Sequence, residues 1–312
     1  MPTLPAPERL RLLLAFFLIY FIWGSTYLAI RYAIETMPPF LMASCRFLVA
    51  GGVLYSFMRF KGVANPAGVQ WLQLTVIGTL LFLGGNGFVV WAEQYINSGL
   101  AALLVSTLPL WMILLDWLWA KGAAPSRTVL AGIGLGFAGL VVLLDPARLI
   151  GSDIYLPGAA MVVLASILWA IGSIYSKTIR QPKSIFMSAS CQMIGGGLSL
   201  LLLSVVLGEP AQFEPAAVST VSLAGLAYLI VFGSIIAISA YVWLLQNASA
   251  SSVSTYAFVN PAVAIFLGWA IADEEINAHI LTGAGIILAG VMLVIRSSTR
   301  IKQGKCKVIG SG

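Results

Sequence analysis

The sequence is poor in charged residues, histidine and cysteine, and each shortage excludes a class of protein. Only 9% of the 312 residues are charged, whereas 60% are hydrophobic; soluble domains have about 25% charged residues. A soluble globular protein of this size is therefore excluded. The three cysteines and the single histidine, His279, form no metal-ligand motif. We accordingly expect no metal site and no cofactor.

Long hydrophobic runs fill most of the chain. A helix of about 20 residues crosses a hydrocarbon core of about 30 Å, and runs bounded by charge, Gly and Pro indicate such helices. The runs predict helices over 12–34, 39–59, 69–95, 98–119, 127–144, 157–178, 184–207, 219–245, 250–271 and 279–296. The chain is thus predicted to be an all-α polytopic membrane protein of ten transmembrane helices, embedded in the lipid bilayer.

The basic residues are distributed unequally between the two predicted membrane sides. With a cytoplasmic N-terminus, 14 Lys and Arg residues fall on the inner side and only Arg31 and Arg148 on the outer side. The positive-inside rule then predicts that both termini are cytoplasmic. Because these residues sort by side and do not cluster, the formal charge of +6 does not indicate a nucleic-acid partner.

The two halves of the sequence repeat each other. At a shift of 146 residues Trp23 aligns with Trp169, and at a shift of 152 Pro109 aligns with Pro261. A further run aligns at the first shift: Phe40, Ala43, Ser44 and Cys45 with Phe186, Ala189, Ser190 and Cys191. The sequence therefore predicts two five-helix repeats.

Because five is an odd number, the second repeat must enter the membrane from the opposite side. The predicted organisation is a cytoplasmic tail over 1–11, a first repeat over 12–148, a second, inverted repeat over 149–296 and a basic cytoplasmic tail over 297–312. Inverted repeats can exchange shapes, which opens a central site first to one side and then to the other. This organisation predicts transport by alternating access.

Three short motifs accompany this organisation: Trp-Gly-Ser at 23–25, Cys-Arg-Phe at 45–47 and Asp-Glu-Glu-Ile at 273–276. With them the chain resembles the EamA type of the drug/metabolite transporter superfamily, and within it the bacterial YddG-like amino-acid and metabolite exporters. The resemblance implies a bacterial inner (plasma) membrane protein. The family usually has Gly-Glu before the last helix of each half, whereas the first half here has Lys121-Gly122.

Arg46 is the only basic residue predicted well inside a span, roughly 10 Å below the outer edge at about 1.5 Å per residue. An intramembrane charge needs a partner, and Glu93 and Glu274 lie at a compatible level. Two interpretations are open: Arg46 binds a substrate carboxylate, or it forms a structural link. The aligned residue in the second half is the neutral Gln192.

Aromatic and hydroxyl side chains form stripes on two aligned helices. Tyr20, Trp23 and Tyr27 share a face of the first helix, and Trp169 and Ser173 share a face of the sixth. Tryptophan and tyrosine usually lie at the membrane interfaces. A mid-membrane tryptophan therefore favours an interior cavity over core packing.

Two prolines fall inside predicted helices next to polar residues. Pro109 and Pro261 would each free a backbone carbonyl and allow a kink or gate, or would only shape the bundle. Freed carbonyls beside hydroxyl and amide groups could bind a neutral polar substrate. The residues added to the candidate site on this ground are Thr107, Tyr256 and Asn260, together with Asn86 in a glycine-rich stretch.

The function predicted from these features is export of small zwitterionic or neutral metabolites, including aromatic amino acids, through a central cavity. Ion-coupled import and drug or metabolite antiport by the same fold are the alternatives, and an intramembrane enzyme is disfavoured because no Ser/His or paired-acid arrangement is present. Asp116 and Glu93 are predicted near opposite membrane surfaces and in water. A facilitator without ion coupling is therefore expected. Glycine-rich helix faces would also allow a homodimer.

Overall fold

The computed structural model describes residues 6–95, 101, 104–119, 124–144, 156–272, 281–283, 285–290 and 292–294. These residues form helices and connecting turns, with no β-strand among them. We number the helices in chain order as α1 (Ala6–Ile34), α2 (Pro39–Phe60), α3 (Gly68–Ala92), α4 (Leu108–Leu118), α5 (Arg127–Leu144), α6 (Leu156–Thr178), α7 (Ile185–Val206), α8 (Thr220–Asn247), α9 (Tyr256–Ala272) and α10 (Leu281–Val294). Short helices over Glu209–Gln212, Pro215–Ala217 and Ala250–Val253 lie in the connections.

Six of these helices, α1, α2, α3, α6, α7 and α8, are long and apolar enough to cross a membrane. α4 and α10 are shorter apolar helices, and the predicted spans 98–119 and 279–296 lie partly outside the described residues. Large apolar side chains such as Phe17, Phe57 and Leu202 are exposed on the long helices. The chain is therefore a polytopic helical membrane protein with an apolar outer surface.

Two of the long helices contain a π-helical stretch that sequence periodicity does not predict. It covers Thr79–Gly87 in α3 and Leu229–Ile236 in α8. π turns inside α-helices are frequent at functional sites. Each stretch has a glycine against a side chain of another helix: a Cβ at Gly85 would lie 2.4 Å from Cε3 of Trp169, and one at Gly233 would lie 2.9 Å from Nη2 of Arg46.

Small residues allow close packing between two further pairs of helices. α2 packs on α7, where the Ser44 hydroxyl donates to the Gly197 carbonyl at 3.2 Å. α5 packs on α10, where a Cβ at Gly132 would lie 3.0 Å from the carbonyl oxygen of Gly290. Gly134 and Gly285 face open space. Gly132 and Gly290 thus serve helix packing within the chain, whereas Gly134 and Gly285 do not, and the homodimer stays a prediction.

The two aligned prolines do not occupy equivalent places. Pro261 lies inside α9, as predicted. Pro109 is the second residue of α4 and follows a turn at Ser106 and Thr107, so its predicted position inside a helix is wrong. The first turn of a helix has unpaired N–H groups, and proline fits there without breaking the helix.

Candidate functional site

A cavity of about 80 Å³ lies inside the bundle. It can hold several water molecules and is smaller than the roughly 300–1,000 Å³ sites of drug-sized ligands. Its lining comes from both halves of the chain and is mostly apolar and aromatic: Trp23, Thr26, Tyr27, Ile30, Arg46, Phe47, Phe82, Gly85, Asn86, Val89, Val105, Leu108, Ala165, Ser166, Trp169, Ile238, Tyr256 and Asn260. Such a site suits a small ligand.

Most of the residues that the sequence indicated as a site come together here. The cavity lining includes Trp23, Tyr27, Arg46, Asn86, Trp169, Tyr256 and Asn260. Three others lie outside the lining. Tyr20 shares a hydrogen bond of 2.5 Å with the Thr255 hydroxyl, Ser173 donates to the Trp169 carbonyl at 2.6 Å, and Thr107 accepts from Nε1 of Trp111 at 3.3 Å.

Four aromatic side chains, which we call the aromatic cluster, pack beside the cavity: Trp23, Trp169, Tyr241 and Tyr256. The Trp23 ring meets the other three at centroid distances of 5.6, 5.0 and 4.8 Å, two of them edge to face. This is the geometry that aromatic pairs prefer. The two tryptophans therefore both line the cavity and pack in the core, so the two interpretations of the stripe do not exclude each other.

Polar atoms of the aromatic cluster are paired. Nε1 of Trp169 donates to the Tyr241 hydroxyl at 2.9 Å, and Nε1 of Trp23 donates to the Gly233 carbonyl at 3.2 Å. The Tyr241 hydroxyl also shares a hydrogen bond of 2.5 Å with Ser173. Tyr241 was missed by the sequence analysis, although the argument used for Trp23, an aromatic residue with a polar group deep in an apolar run, applies to it equally.

Arg46 is 2% exposed and lies against the π-helical stretch of α8. Its Nε donates to the Ser234 hydroxyl at 2.8 Å, and its Nη2 donates to the Gly233 carbonyl at 3.2 Å. The guanidinium carbon lies 4.7 Å from the centroid of the Phe47 ring. Within the described part of the chain, Nη1 has no hydrogen-bond partner.

The acids expected to pair with Arg46 do not do so in the described residues. Glu93 forms no ion pair there, and its Oε1 is buried without a partner. Glu274 lies outside the described residues. Glu93 is only partly exposed, so the prediction that it lies in water does not hold for the enclosed oxygen. Asp116, in contrast, forms an ion pair of 3.3 Å with Lys177, in which the two side chains are 25% and 23% exposed.

Two cavity amides differ in their hydrogen bonding. With the Asn260 amide oriented so that its nitrogen faces them, it donates to the carbonyls of Tyr256 and Tyr20 at 3.0 and 3.1 Å. Oδ1 of Asn86 is buried and has no partner among the described residues. A buried polar atom without a partner is costly, so Asn86 and Arg46 each bring one unmet hydrogen-bonding group to the same cavity.

The described residues contain no cluster of His, Cys, Asp or Glu that could hold a metal ion. What the site presents is one cationic edge, one amide oxygen and aromatic walls, buried within a helical membrane bundle. Groups of this kind bind and orient a small polar molecule. Fold and site together define a polytopic membrane protein with a cavity between its helices.

Comparison with known proteins identifies the family. The sequence profile of the EamA-like transporter family matches residues 10–145 and 156–296. The chain belongs to this family, and its resemblance to the EamA type is confirmed. The family and the names of its relatives indicate a transporter rather than an enzyme.

Relatives extend over nearly the whole chain. An uncharacterized inner membrane transporter of Escherichia coli, YedA, is 37% identical over 281 residues, covering 90% of this chain and 89% of its own. An uncharacterized transporter of Archaeoglobus fulgidus is 30% identical, covering 92% and 97%. A crystal structure with 18% identity has a TM-score of 0.74 and covers 92% of this chain and 98% of its own, so the fold is shared.

Proposed function

We propose that this protein is a secondary transporter of the bacterial inner membrane that exports small zwitterionic or neutral metabolites, including aromatic amino acids, by alternating access. The observation that carries the proposal is a cavity built from aligned residues of both halves, with Trp23 and Trp169 in edge-to-face contact. A binding site between two repeats can be exposed to either side when the repeats rock against each other.

Contacts between aligned elements support two inverted repeats. Trp23 of α1 donates a hydrogen bond to Gly233 in the π-helical stretch of α8. In the same way, Trp169 of α6 packs on Gly85 in the π-helical stretch of α3. In addition, α2 packs on α7 and α5 on α10. A two-fold relation between repeats of five helices would produce each of these pairings. The family profile also matches the chain twice.

The topology is testable without a substrate. The basic residues favour cytoplasmic termini, and inverted repeats require the α4–α5 and α9–α10 connections to lie on opposite sides. Single cysteines replacing Ser126 and Asn277, in a variant without the native cysteines, should react with a membrane-impermeant maleimide from opposite sides. Labelling of both from one side would overturn the inverted repeat.

The lining favours amino acids over phosphorylated compounds and cations. Phosphate groups are usually bound by several Arg or Lys side chains, whereas Arg46 is the one charged residue in the described lining. A cation would be expected to meet a carboxylate, and the lining contains none among the described residues. Aromatic walls with a guanidinium and an amide suit an amino acid.

Uptake into sealed inside-out vesicles, with a panel of labelled amino acids, tests the proposal. Vesicles containing the protein should accumulate one or more amino acids faster than vesicles containing the Trp23→Ala variant, at equal amounts of inserted protein. Equal uptake of every amino acid by both preparations would contradict it.

Ion-coupled transport is the second candidate, and one observation favours it. Oε1 of Glu93 is buried without a partner among the described residues, and a buried carboxylate is the usual site of proton coupling in transporters. Glu93 is outside the cavity lining. We therefore propose a facilitator, which moves its substrate without coupling to an ion. Substrate flux in proteoliposomes should not change when a proton or sodium gradient is imposed at zero membrane potential, whereas concentrative uptake driven by either gradient would establish coupling.

A further inference from the structure

From the hydrogen bonds around Arg46 and Asn86, we infer that the cavity recognises α-amino acids through two groups: Arg46 binds the substrate carboxylate and Asn86 binds the amino group. This inference rests on the proposed function and narrows its substrate class. It excludes neutral metabolites that lack a carboxylate.

The bonds that Arg46 makes leave one nitrogen of its guanidinium without a protein partner in the described residues. A guanidinium has five N–H donors in a fixed plane. The edge formed by Nε and Nη2 is held by Ser234 and Gly233 of α8. The end of the fork, where Nη1 and Nη2 point in parallel, includes the Nη1 that has no partner in the described residues. Two parallel N–H groups match the two oxygens of a carboxylate.

The surroundings fix this edge in place. The guanidinium lies over the Phe47 ring, which itself stacks on Phe82 at 4.4 Å. A Cβ at Gly233 would lie 2.9 Å from Nη2, so the absence of a side chain there lets the guanidinium approach the backbone of α8. Arg46 is thus oriented before any ligand binds, which lowers the cost of binding.

The charge of the cavity calls for an anionic group. Arg46 is the one charged side chain in the described lining, and no described acid pairs with it. A buried cation without a counter-charge is unfavourable. A ligand carboxylate would neutralise it, and this requirement applies to any amino acid whatever its side chain.

Asn86 supplies the complementary acceptor. Asn86 lines the same cavity, and its Oδ1 is buried without a partner within the described residues. An amide oxygen accepts hydrogen bonds and cannot donate them, so it fits the ammonium group of an amino acid. The aromatic cluster is left for the side chain.

The test compares three forms of the same compound. Purified protein in detergent is titrated with L-alanine and L-phenylalanine, with their carboxamides and with their N-acetyl derivatives, and binding is read from the shift in melting temperature. The wild type should bind each free amino acid at least 10-fold more tightly than either derivative, because each derivative lacks one of the two recognised groups.

Variants assign the two ends of the ligand. Arg46→Gln should weaken binding of the free amino acids at least 10-fold and leave the carboxamides unchanged. Arg46→Lys keeps the charge but lacks the two parallel N–H groups. Its affinity for the free amino acids should therefore lie between those of the wild type and Arg46→Gln. Asn86→Leu should abolish the preference for the free amino group over the N-acetyl form.

Arg59→Gln is the matched control, since Arg59 is exposed at the far end of α2 and bonds only locally, to the Val63 carbonyl. If Arg46→Gln does not fold, Ser234→Ala replaces it, because it removes the Nε partner and leaves the charge. Ser234→Ala should weaken binding of the free amino acids several-fold and leave binding of the carboxamides unchanged.

The outcomes separate this inference from the proposed function. Amino-acid transport by the wild type together with unchanged discrimination in Arg46→Gln and Ser234→Ala would overturn the inference and leave the function standing. Failure of the wild type to bind or transport any amino acid would overturn both.

Discussion

Arg46 and Gln192 occupy aligned positions in the two halves of the chain but differ in their surroundings. Both are almost completely buried, at 2% and 1% exposure, and their helices α2 and α7 pack on each other. Arg46 lies in the cavity lining and is held by α8. Gln192 is not in that lining, and neither of its amide atoms has a partner in the described residues.

The aligned tryptophans, unlike Arg46 and Gln192, have similar surroundings in the two halves. Trp23 and Trp169 are also aligned, and both line the cavity and contact each other. The two halves therefore supply equivalent aromatic walls, whereas within the described lining the charge comes from the first half. If the chain is a duplication, the duplicated residues form the frame of the cavity and the residue that diverged determines its ligand.

The largest expected effect tests the equivalence of the two tryptophans. Trp23→Ala and Trp169→Ala should each lower transport at least about 10-fold, because an aromatic anchor contributes about 2 kcal/mol or more to binding. Trp117→Ala, at an exposed position of α4, is the control. A loss in only one of the two variants would show that the halves are not equivalent.

A smaller effect compares the two glycines of the π-helical stretches. Gly85→Ala would place a methyl group 2.4 Å from the Trp169 ring, whereas Gly233→Ala would meet the end of the Arg46 side chain at 2.9 Å. Overpacking costs about 1–3 kcal/mol, and a ring yields less than a flexible chain. Gly85→Ala should therefore lower the melting temperature more than Gly233→Ala.

Their effects on binding should be reversed. Gly233→Ala displaces the guanidinium and should weaken amino-acid binding more than Gly85→Ala does, relative to the change in stability. Gly134→Ala, at a position in α5 with open space around it, should leave amino-acid binding unchanged and should not lower the melting temperature, since alanine favours a helix more than glycine does. If the loss of amino-acid binding were in the same proportion to the loss of stability in both variants, a special role for Arg46 would be contradicted.

Tyr241 has no aromatic partner in the first half at the 152-residue shift, where Val89 aligns with it. Tyr241→Phe removes the acceptor for Trp169 and the link to Ser173. Each lost hydrogen bond is worth about 0.5–1.5 kcal/mol. We expect a loss of transport of about 3- to 10-fold with normal insertion, measured by uptake at matched protein levels. Full transport activity of Tyr241→Phe would show that these hydrogen bonds of the aromatic cluster are not needed for transport.

The smallest effect is expected at Gln192. Gln192→Leu replaces two buried polar atoms that have no partner in the part of the chain that the structure describes, so stability should stay equal or rise by about 1 kcal/mol. Transport should change less than two-fold, because Gln192 is outside the cavity lining. Thermal melting and uptake of the same preparation check both. A large loss of transport would give Gln192 a role comparable to that of Arg46.

The helices could be predicted from the sequence where hydropathy and flanking charges determine them. The predicted spans 39–59, 157–178 and 219–245 correspond to Pro39–Phe60, Leu156–Thr178 and Thr220–Asn247. The first helix begins at Ala6 and not at residue 12, since helical structure can continue past the edge of the apolar run into polar residues.

The details of the site could be predicted only in part. Depth along a helix follows from residue spacing, which indicated Trp23 and Arg46, whereas Asn86 was indicated by the glycines beside it; all three line the cavity. The angle around each helix axis depends on packing between distant segments. For this reason the partners of Arg46 and the π-helical stretches were not predicted.

The measurement that tests the central claim most directly is counterflow. Proteoliposomes containing the purified protein are loaded with a high concentration of an unlabelled amino acid and diluted into a trace of the same labelled compound, without any ion gradient. An alternating-access carrier for amino acids should give a transient accumulation of label above equilibrium, absent from protein-free liposomes. No accumulation for any amino acid, or label that only equilibrates as through a channel, would contradict the account.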